Sequence, residues 1–279
     1  MAIVLALAAS VSWGLADFLA GLASRRVSVP VVLLLVEGGG LVVIGLVAVL
    51  WGGPFFDDAQ DFWSAVGAGL SGVAGLGCFY GALALGTMSV VAPIASAGVA
   101  LPVIVGIATG NRPSAVTAAG LAAIVVGVVL ASREEHDGAE ATAAGRKALG
   151  LALLAAIGLG GFVVLVDAPA DVSIPWTLTV SRAAAMPFIA LVILRTRPAF
   201  PGARLGSGIA VVGCIDLLAT VLLSSAQTKG DLSVVSVLGG MYPVVTVLLA
   251  AAVLGERVRT PQLVGIVCAL GGVGAVAAG

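Results

Sequence analysis

Long apolar stretches follow one another along the chain, separated by short groups of charged residues, prolines and glycines. Each stretch is about 20 residues long, which is the length an α-helix needs to cross the hydrocarbon core of a bilayer. The pattern therefore predicts ten membrane-spanning helices. They lie near residues 2–23, 30–51, 63–84, 88–109, 114–132, 147–167, 174–194, 206–226, 232–254 and 261–278.

Composition supports lipid as the solvent of this chain. Of the 279 residues, 60% are hydrophobic and 10% are charged, and the mean hydropathy is +1.20. A water-soluble chain of this size has to present far more polar surface. We therefore expect an all-α integral membrane protein. The first apolar stretch lacks the basic segment that opens a signal peptide, so it is interpreted as a retained first span.

The two halves of the sequence resemble each other at a spacing of about 145 residues. Residues 28–40 (SVPVVLLLVEGGG) align with residues 173–185 (SIPWTLTVSRAAA). Residues 86–94 (GTMSVVAPI) align with residues 230–238 (GDLSVVSVL). The alignment indicates an internal duplication.

The duplication predicts three regions, namely a first five-helix repeat in 1–132, a polar linker in 133–146 and a second five-helix repeat in 147–279. Because five is odd, the second repeat enters the membrane from the opposite side. The expected architecture is a 5+5 inverted-topology repeat. It is typical of secondary transporters, which bind substrate near the midplane between their halves and expose it to one side and then the other.

The repeat aligns two charged residues that lie inside apolar stretches. Glu37 in the second span falls on Arg182 in the seventh, 145 residues later. A charge taken out of water is costly unless it is paired, and a two-fold axis can bring equivalent positions together. We therefore expect Glu37 and Arg182 to pair in the interior. The pair could support a closed gate or contact the substrate, or it could only fix the helix register.

Two further acidic residues lie in predicted spans, Asp17 in the first and Asp216 in the eighth. With all four groups ionised, the interior would hold three negative charges and one positive charge. We therefore expect at least one of the two aspartates to carry a proton or to meet a cationic substrate, unless it lies near a span end and is hydrated. No cofactor is expected, and proton coupling is left open.

Three aromatic residues are candidates to line a substrate cavity: Trp13, Tyr80 and Tyr242. Trp13 lies four residues before Asp17 and so on the same helical face. Trp176 and Gln227 are further candidates. Tryptophan and tyrosine also anchor helices at the membrane interface, and each aromatic residue has that alternative role.

Several classes of function have no support in the sequence. A net charge of −1 provides no basic surface for nucleic acid. One histidine and three scattered cysteines form no metal-ligand cluster, and no catalytic residue is predicted. The alternatives to a transporter are a membrane-embedded enzyme, which needs a clustered catalytic set at one membrane face, and a non-transporting scaffold or sensor. The sequence does not specify an oligomeric state.

Two stretches resemble the EamA-type branch of the drug/metabolite transporter superfamily. One is Trp13–Gly14 in the first span, and the other is YPVVTVLLAAAVLGERVRTPQLVGIVCALGGVG at 242–274. The resemblance implies ATP-independent movement of a small metabolite, often export of an amino acid or other organic solute, across the cytoplasmic membrane. The first half has Asn111 where the family has glutamate, so Glu256 is interpreted as part of a structural pair with Arg257.

The positive charges predict an orientation. With ten spans, both termini lie on one side, and ten of the 13 Lys and Arg residues fall in connections on the other side. Positive residues favour the cytoplasmic side, which predicts that both termini face outward. The family resemblance instead implies that both face the cytoplasm, and we favour the charge distribution.

Overall fold

The structure is a computed structural model that describes residues 1–108, 114–131, 139–227, 229, 238–239, 241–256 and 260–278. These residues form helices and turns and contain no strand. The helices are α1 (Ala2–Ser24), α2 (Val29–Trp51), α3 (Ala59–Leu85), α4 (Met88–Ser96), α5 (Ala100–Ala108), α6 (Ala115–Ala131), α7 (Ala139–Val172), α8 (Ile174–Thr196), α9 (Ala203–Gln227), α10 (Tyr242–Leu254) and α11 (Thr260–Ala278). A 3-10 turn joins α4 to α5, so the described chain has ten helical segments.

Six helices in the described residues are long and apolar enough to cross a membrane, namely α1, α2, α3, α7, α8 and α9. Large apolar side chains cover their outer faces. On α2, for example, Val42, Leu46 and Val49 are 73%, 60% and 71% exposed. Apolar surface of this extent is a liability in water and is stabilised by lipid. The all-helical, membrane-embedded class predicted from the sequence is confirmed.

Helices α2 and α8 begin with the same local signals, as the sequence repeat predicts. Ser28 and Ser173 occupy the N-cap positions, and each helix has a proline in its first turn. Proline suits this position because its fixed φ is helical and its missing N–H is not needed there. The Ser173 side chain accepts a hydrogen bond from the Trp176 N–H at 3.4 Å. The two helices thus start at equivalent positions.

The fourth helical segment is interrupted near its middle. Pro93 lacks an N–H, and Ser96 Oγ donates to the Pro93 carbonyl at 2.8 Å. A 3-10 turn, Ala97–Val99, follows. There the backbone lies directly against α7, since a Cβ on Gly98 would collide with the Ala156 carbonyl. The segment is therefore interrupted after Pro93, at the point where Gly98 contacts the backbone of α7.

Two elements differ from their predicted bounds. Helix α7 begins at Ala139, inside the segment predicted as a polar linker, while residues 132–138 lie outside the described residues. Its first turns are polar and lack the apolar pattern that marks a span, so hydropathy did not predict a helix there. The predicted ninth span, 232–254, is described as helix α10 only from Tyr242 onward, and most of its earlier residues lie outside the described part.

Helix contacts between the two halves of the chain come in matched sets. Helix α1 packs on α9 as α3 packs on α7, and α2 packs on α9 as α3 packs on α8. Helix α1 likewise packs on α10 as α4 packs on α7. The remaining large contacts join equivalent helices, namely α2 with α8, α4 with α10 and α6 with α11. Exchanging the two halves leaves this contact pattern unchanged.

Glycines repeat the same correspondence at atomic detail. A Cβ on Gly69 would collide with the Ser181 carbonyl, and a Cβ on Gly213 would collide with the Val36 carbonyl. Gly213 follows Gly69 by 144 residues, and Ser181 follows Val36 by 145. The same close approach is thus made once on each side of the seam, where the absence of a side chain lets the backbones touch.

Helices α6 and α11 cross at glycines and run antiparallel. A Cβ on Gly272 would be 2.6 Å from the Gly120 carbonyl oxygen, and one on Gly127 would be 2.7 Å from the Gly265 carbonyl oxygen. The four residues are two equivalent pairs in the sequence repeat. Antiparallel contact between equivalent helices is what a two-fold axis across the helix direction produces.

Hydrogen bonds and an ion pair join described connections at each end of the bundle. At one end, Ser173 Oγ donates to the Gly52 carbonyl at 2.7 Å, and Trp176 Nε1 donates to the Gly53 carbonyl at 3.2 Å. These bonds join the α2–α3 connection to the start of α8. At the other end, Arg25 after α1 bonds to Glu256 after α10 at 3.2 Å. The α2–α3 connection and the start of α8 thus lie at one end of the bundle, and the residues that follow α1 and α10 lie at the other end.

Candidate functional site

Arg182 lies between two carboxylates at the seam of the two halves. Its Nη1 is 3.3 Å from Oε2 of Glu37, and its Nη2 is 2.5 Å from Oδ2 of Asp216. The side chains of Arg182 and Glu37 are 10% and 8% exposed, and that of Asp216 is 26% exposed. A guanidinium can hold two carboxylates at once because its donors form a planar fork. The three residues thus form one ion network linking α2, α8 and α9.

Glycine at position 40 makes room for the network. A Cβ there would be 2.6 Å from Nη1 of Arg182, so the guanidinium lies across the bare backbone of α2. Gly39 faces the other way and lets α9 approach, since a Cβ on it would collide with the Ala210 carbonyl. Nothing lies within 4 Å of a Cβ on Gly38. Two of the three consecutive glycines therefore shape the site.

The structure brings together Glu37 and Arg182, the two charged residues that the repeat aligned. It adds Asp216, which the sequence had left between an interior and a hydrated position. The role of these residues in binding or gating a substrate stays a prediction.

Asp17 lies in the same interior but outside the ion network. Its residue is 8% exposed, and no described residue forms a hydrogen bond or an ion pair with its carboxylate. The charge of Asp216 acts on it repulsively. Asp17 is therefore a buried acid without a cationic partner among the described residues.

The aromatic candidates lie around these acids. Tyr80 on α3 is 2% exposed, and its phenol lies close enough to Asp17 and to the ion network to interact with their charges. Tyr80 therefore belongs to the same interior.

Trp13 and Tyr242 form an edge-to-face aromatic pair between α1 and α10, with ring centroids 6.1 Å apart. Gly14 permits the contact, because a Cβ on it would be 2.6 Å from the Tyr242 carbonyl oxygen. Thr246 Oγ1 donates to the Gly14 carbonyl at 3.2 Å. Trp13 lies one helical turn before Asp17, so the aromatic pair lies on the same side of α1 as this acid.

Trp176 lies elsewhere. Its indole packs against Phe55 at 5.2 Å and bonds to Gly53 at one end of the bundle. Trp51 and Trp63, also near that end, are 75% and 66% exposed. These positions fit interfacial anchors. The side chain of Gln227 lies outside the described part of the structure.

Glu256 has a larger structural role than the sequence suggested. Its Oε1 accepts from the Met88 N–H at 3.2 Å, and its Oε2 accepts from the N–H and Oγ–H of Ser89, each at 3.0 Å. A carboxylate at these positions caps α4 and opposes the positive end of its dipole. Arg25 pairs with the same carboxylate at 3.2 Å. Arg257, the expected partner, lies outside the described residues.

Arg25 connects this cap to the end of α3. Its Nε donates to the Leu83 carbonyl and its Nη2 to the Gly86 carbonyl, both at 3.2 Å, at the end of α3. Arg25 and Glu256 thus tie the ends of α1, α3, α4 and α10 together. The Gly-Glu-Arg motif at 255–257 drew attention to Glu256, but a partner 231 residues away has no sequence signal.

No group of three His, Cys, Asp or Glu residues in the described ranges is arranged to hold a metal ion. The cysteines at 78, 214 and 268 are free thiols. The site therefore consists of carboxylates, one guanidinium and aromatic rings.

Comparison with known proteins identifies the family. The model of the EamA-like transporter family matches residues 1–133 and 146–278, one match to each half. Among 17 matching chains of solved structures, one described as "Crystal structure of protein" is 18% identical, with a TM-score of 0.61 over 98% of this chain and 95% of its own. At this identity the likeness shows the fold alone. No curated protein matches the chain. The family resemblance read from the sequence is confirmed, and the chain belongs to the EamA-like transporter family.

Proposed function

We propose that this protein is a secondary transporter that moves a small organic solute, by alternating access and without ATP hydrolysis, across the cytoplasmic membrane. We expect the solute to be an amino acid or a related metabolite and the direction of transport to be export. In this proposal the halves form a 5+5 inverted-topology repeat, and the substrate binds at their seam near the midplane.

The matched helix contacts support the inverted repeat. Equivalent helices α6 and α11 cross antiparallel at equivalent glycines, and the glycine contacts of α2, α3, α8 and α9 occur in corresponding pairs. Two similar halves related in this way can exchange conformations with each other. That exchange opens the seam first to one side and then to the other.

The observation that carries the proposal is the ion network at the seam. Arg182 of the second half holds Glu37 of the first half and Asp216 of its own. Burying three charged groups costs free energy that an apolar core would avoid. A network placed where the halves meet can break and reform as they move, and intramembrane charges typically mark substrate or ion pathways.

The direct test is uptake into liposomes that contain the purified protein. A panel of amino acids and organic cations is tested with and without a pH gradient, which also reports proton coupling. We expect accumulation of at least one solute that is lost in Glu37→Gln and Arg182→Gln and kept in Asp57→Asn, a change at an exposed connection. Transport at wild-type rate in both seam variants would contradict the role of the network. Absence of transport for every solute would favour a scaffold or sensor.

A further inference from the structure

Charge in the buried interior is not balanced among the described residues. Arg182 is the one cation in the described buried set, and it donates to both Glu37 and Asp216. Asp17 is left with no ion pair or hydrogen bond to a described residue, although it is 8% exposed. Because no fully buried side-chain oxygen among the described residues lacks a hydrogen bond, the Asp17 carboxylate keeps contact with solvent inside the protein. Among the described residues the interior still holds more acids than cations, and this imbalance favours a cationic ligand.

The surroundings of Asp17 match one class of ligand. Trp13 lies one helical turn before it, and Trp13 and Tyr242 meet edge to face at 6.1 Å. Aromatic faces attract cations through their quadrupoles, most strongly when water is excluded. Repulsion from Asp216 further disfavours an anion near Asp17. A carboxylate beside an aromatic pair is thus suited to an ammonium group.

The ion network argues against a carboxylate on the same ligand. The carboxylate of an amino acid or an organic acid would enter an interior that holds three acids and, among the described residues, one cation. That cation, Arg182, already binds two of the acids. Displacing either acid would leave another buried charge unpaired. A zwitterion is therefore a poorer fit to this site than a simple amine.

We propose that Asp17, with Trp13 and Tyr242, forms a binding site for the ammonium group of a small organic amine that carries no carboxylate. This inference rests on the proposed transport function, and among small organic solutes it favours an amine over the amino acid that the family resemblance implied.

Calorimetry on the purified protein tests the site with ligands that carry an ammonium group, a carboxylate or both. The probes are phenethylamine, phenylalanine and 3-phenylpropionate, with ethylamine, butylamine and tetramethylammonium as cations of other size. We expect one or more of the cations to bind, and phenylalanine and 3-phenylpropionate to bind at least about tenfold more weakly than phenethylamine, as expected for a ligand group left without its charged partner. If no cation binds, or if phenylalanine binds as well as phenethylamine, the inference is wrong.

Variants assign the binding to Asp17. We expect Asp17→Asn to weaken amine binding about tenfold or more, and Asp167→Asn, a change at an exposed acid on α7, to leave it unaltered. Asp17→Glu, which keeps the charge, should retain measurable binding and serves if the asparagine variant fails to fold. Trp13→Leu should weaken binding and Trp13→Phe should largely preserve it. Equal amine affinity in wild type and Asp17→Asn would overturn the site.

Liposome uptake of the same probes separates this inference from the function it rests on. Transport of phenylalanine without binding of any amine would leave the transporter standing and remove the amine site. Amine binding that depends on Asp17, with no transport of any probe, would keep the site and contradict the transporter.

Discussion

Arg182 contacts one acid from each half of the chain, and only one of these two contacts could be predicted from the sequence. Glu37 is its equivalent in the other half, so the repeat spacing alone predicts the contact. Asp216 aligns with Gly72, a residue without charge, and the repeat gives no reason to place it at the seam. Its contact depends on how α9 packs between α2 and α8, which is a tertiary property.

The third partner changes what a charge exchange should do. Placing arginine at position 37 and glutamate at position 182 restores the first pair but sets a carboxylate against Asp216. We therefore expect the double exchange to remain defective in liposome uptake, and the triple variant with Asp216→Asn to recover part of the activity.

Loss of the guanidinium should also cost stability. Removing one member of a buried ion pair typically costs about 3–5 kcal/mol, so Arg182→Gln should unfold at lower temperature than wild type. Full activity of the double exchange without the change at Asp216 would contradict the three-residue network.

At the scale of elements, hydropathy found the helices but not their interruptions or their extra turns. The start of α7 and the break between α4 and α5 depend on contacts rather than on apolar pattern. The repeat alignment set the three glycines of α2 against three alanines of α8. It could not tell which glycine touches another helix, because that depends on the rotation of α2 about its axis.

Substitutions at two neighbouring glycines on α2 test which face of this helix contacts α9. A Cβ on Gly38 meets nothing within 4 Å, whereas one on Gly39 collides with the backbone of Ala210. We expect Gly38→Ala to be neutral or to stabilise by up to about 1 kcal/mol, the helix propensity gain. Gly39→Ala should destabilise by about 1–3 kcal/mol through overpacking. Thermal unfolding in detergent measures both, and equal stability would contradict the close contact of α2 and α9.

Adjacent arginines after α1 provide a second matched pair. Arg25 bonds to Glu256 and to two carbonyls at the end of α3, whereas Arg26 is exposed and no side-chain bond joins it to a described residue. We expect Arg25→Gln to lower the unfolding temperature by an amount that corresponds to about 1 kcal/mol, because the pair is partly exposed. Arg26→Gln should leave it unchanged. A similar loss in both variants would mean that general charge, not this network, stabilises the end of the bundle.

Glu256→Gln should be at least as damaging as Arg25→Gln, because the carboxylate also caps α4. The substitution removes the negative charge that strengthens the bonds from two backbone N–H groups, Met88 and Ser89. The same thermal unfolding series measures this difference.

At the scale of the whole molecule, the sequence repeat predicted the relation between the halves, and the family model matches each half separately. The close glycine contacts of α2, α3, α8 and α9, and the contact of Asp216 with Arg182, came only with the structure. The repeat and the helix contacts do not determine the orientation in the membrane. The charge distribution predicts that both termini face outward, whereas the family resemblance implies that both face the cytoplasm.

Reporter fusions decide the orientation. The charge distribution predicts that a phosphatase fused after Gly279 is active outside the cytoplasm, and that one fused after Gly202, in the α8–α9 connection at the opposite end, is inactive. A fluorescent protein at the same two positions should give the reverse pattern. Activity only at Gly202 would place both termini in the cytoplasm and overturn the prediction from charge.

The contact of Glu37 with Arg182 bears on the history of the chain. Positions 37 and 182 are equivalent in the sequence repeat, and they meet each other across the seam. In a dimer of two identical halves, any charge at this position would face a copy of itself. An acid can lie opposite a base here only because the two halves differ in sequence. A tandem fusion of two first halves would bring two glutamates face to face, and it should assemble only once one of them is changed.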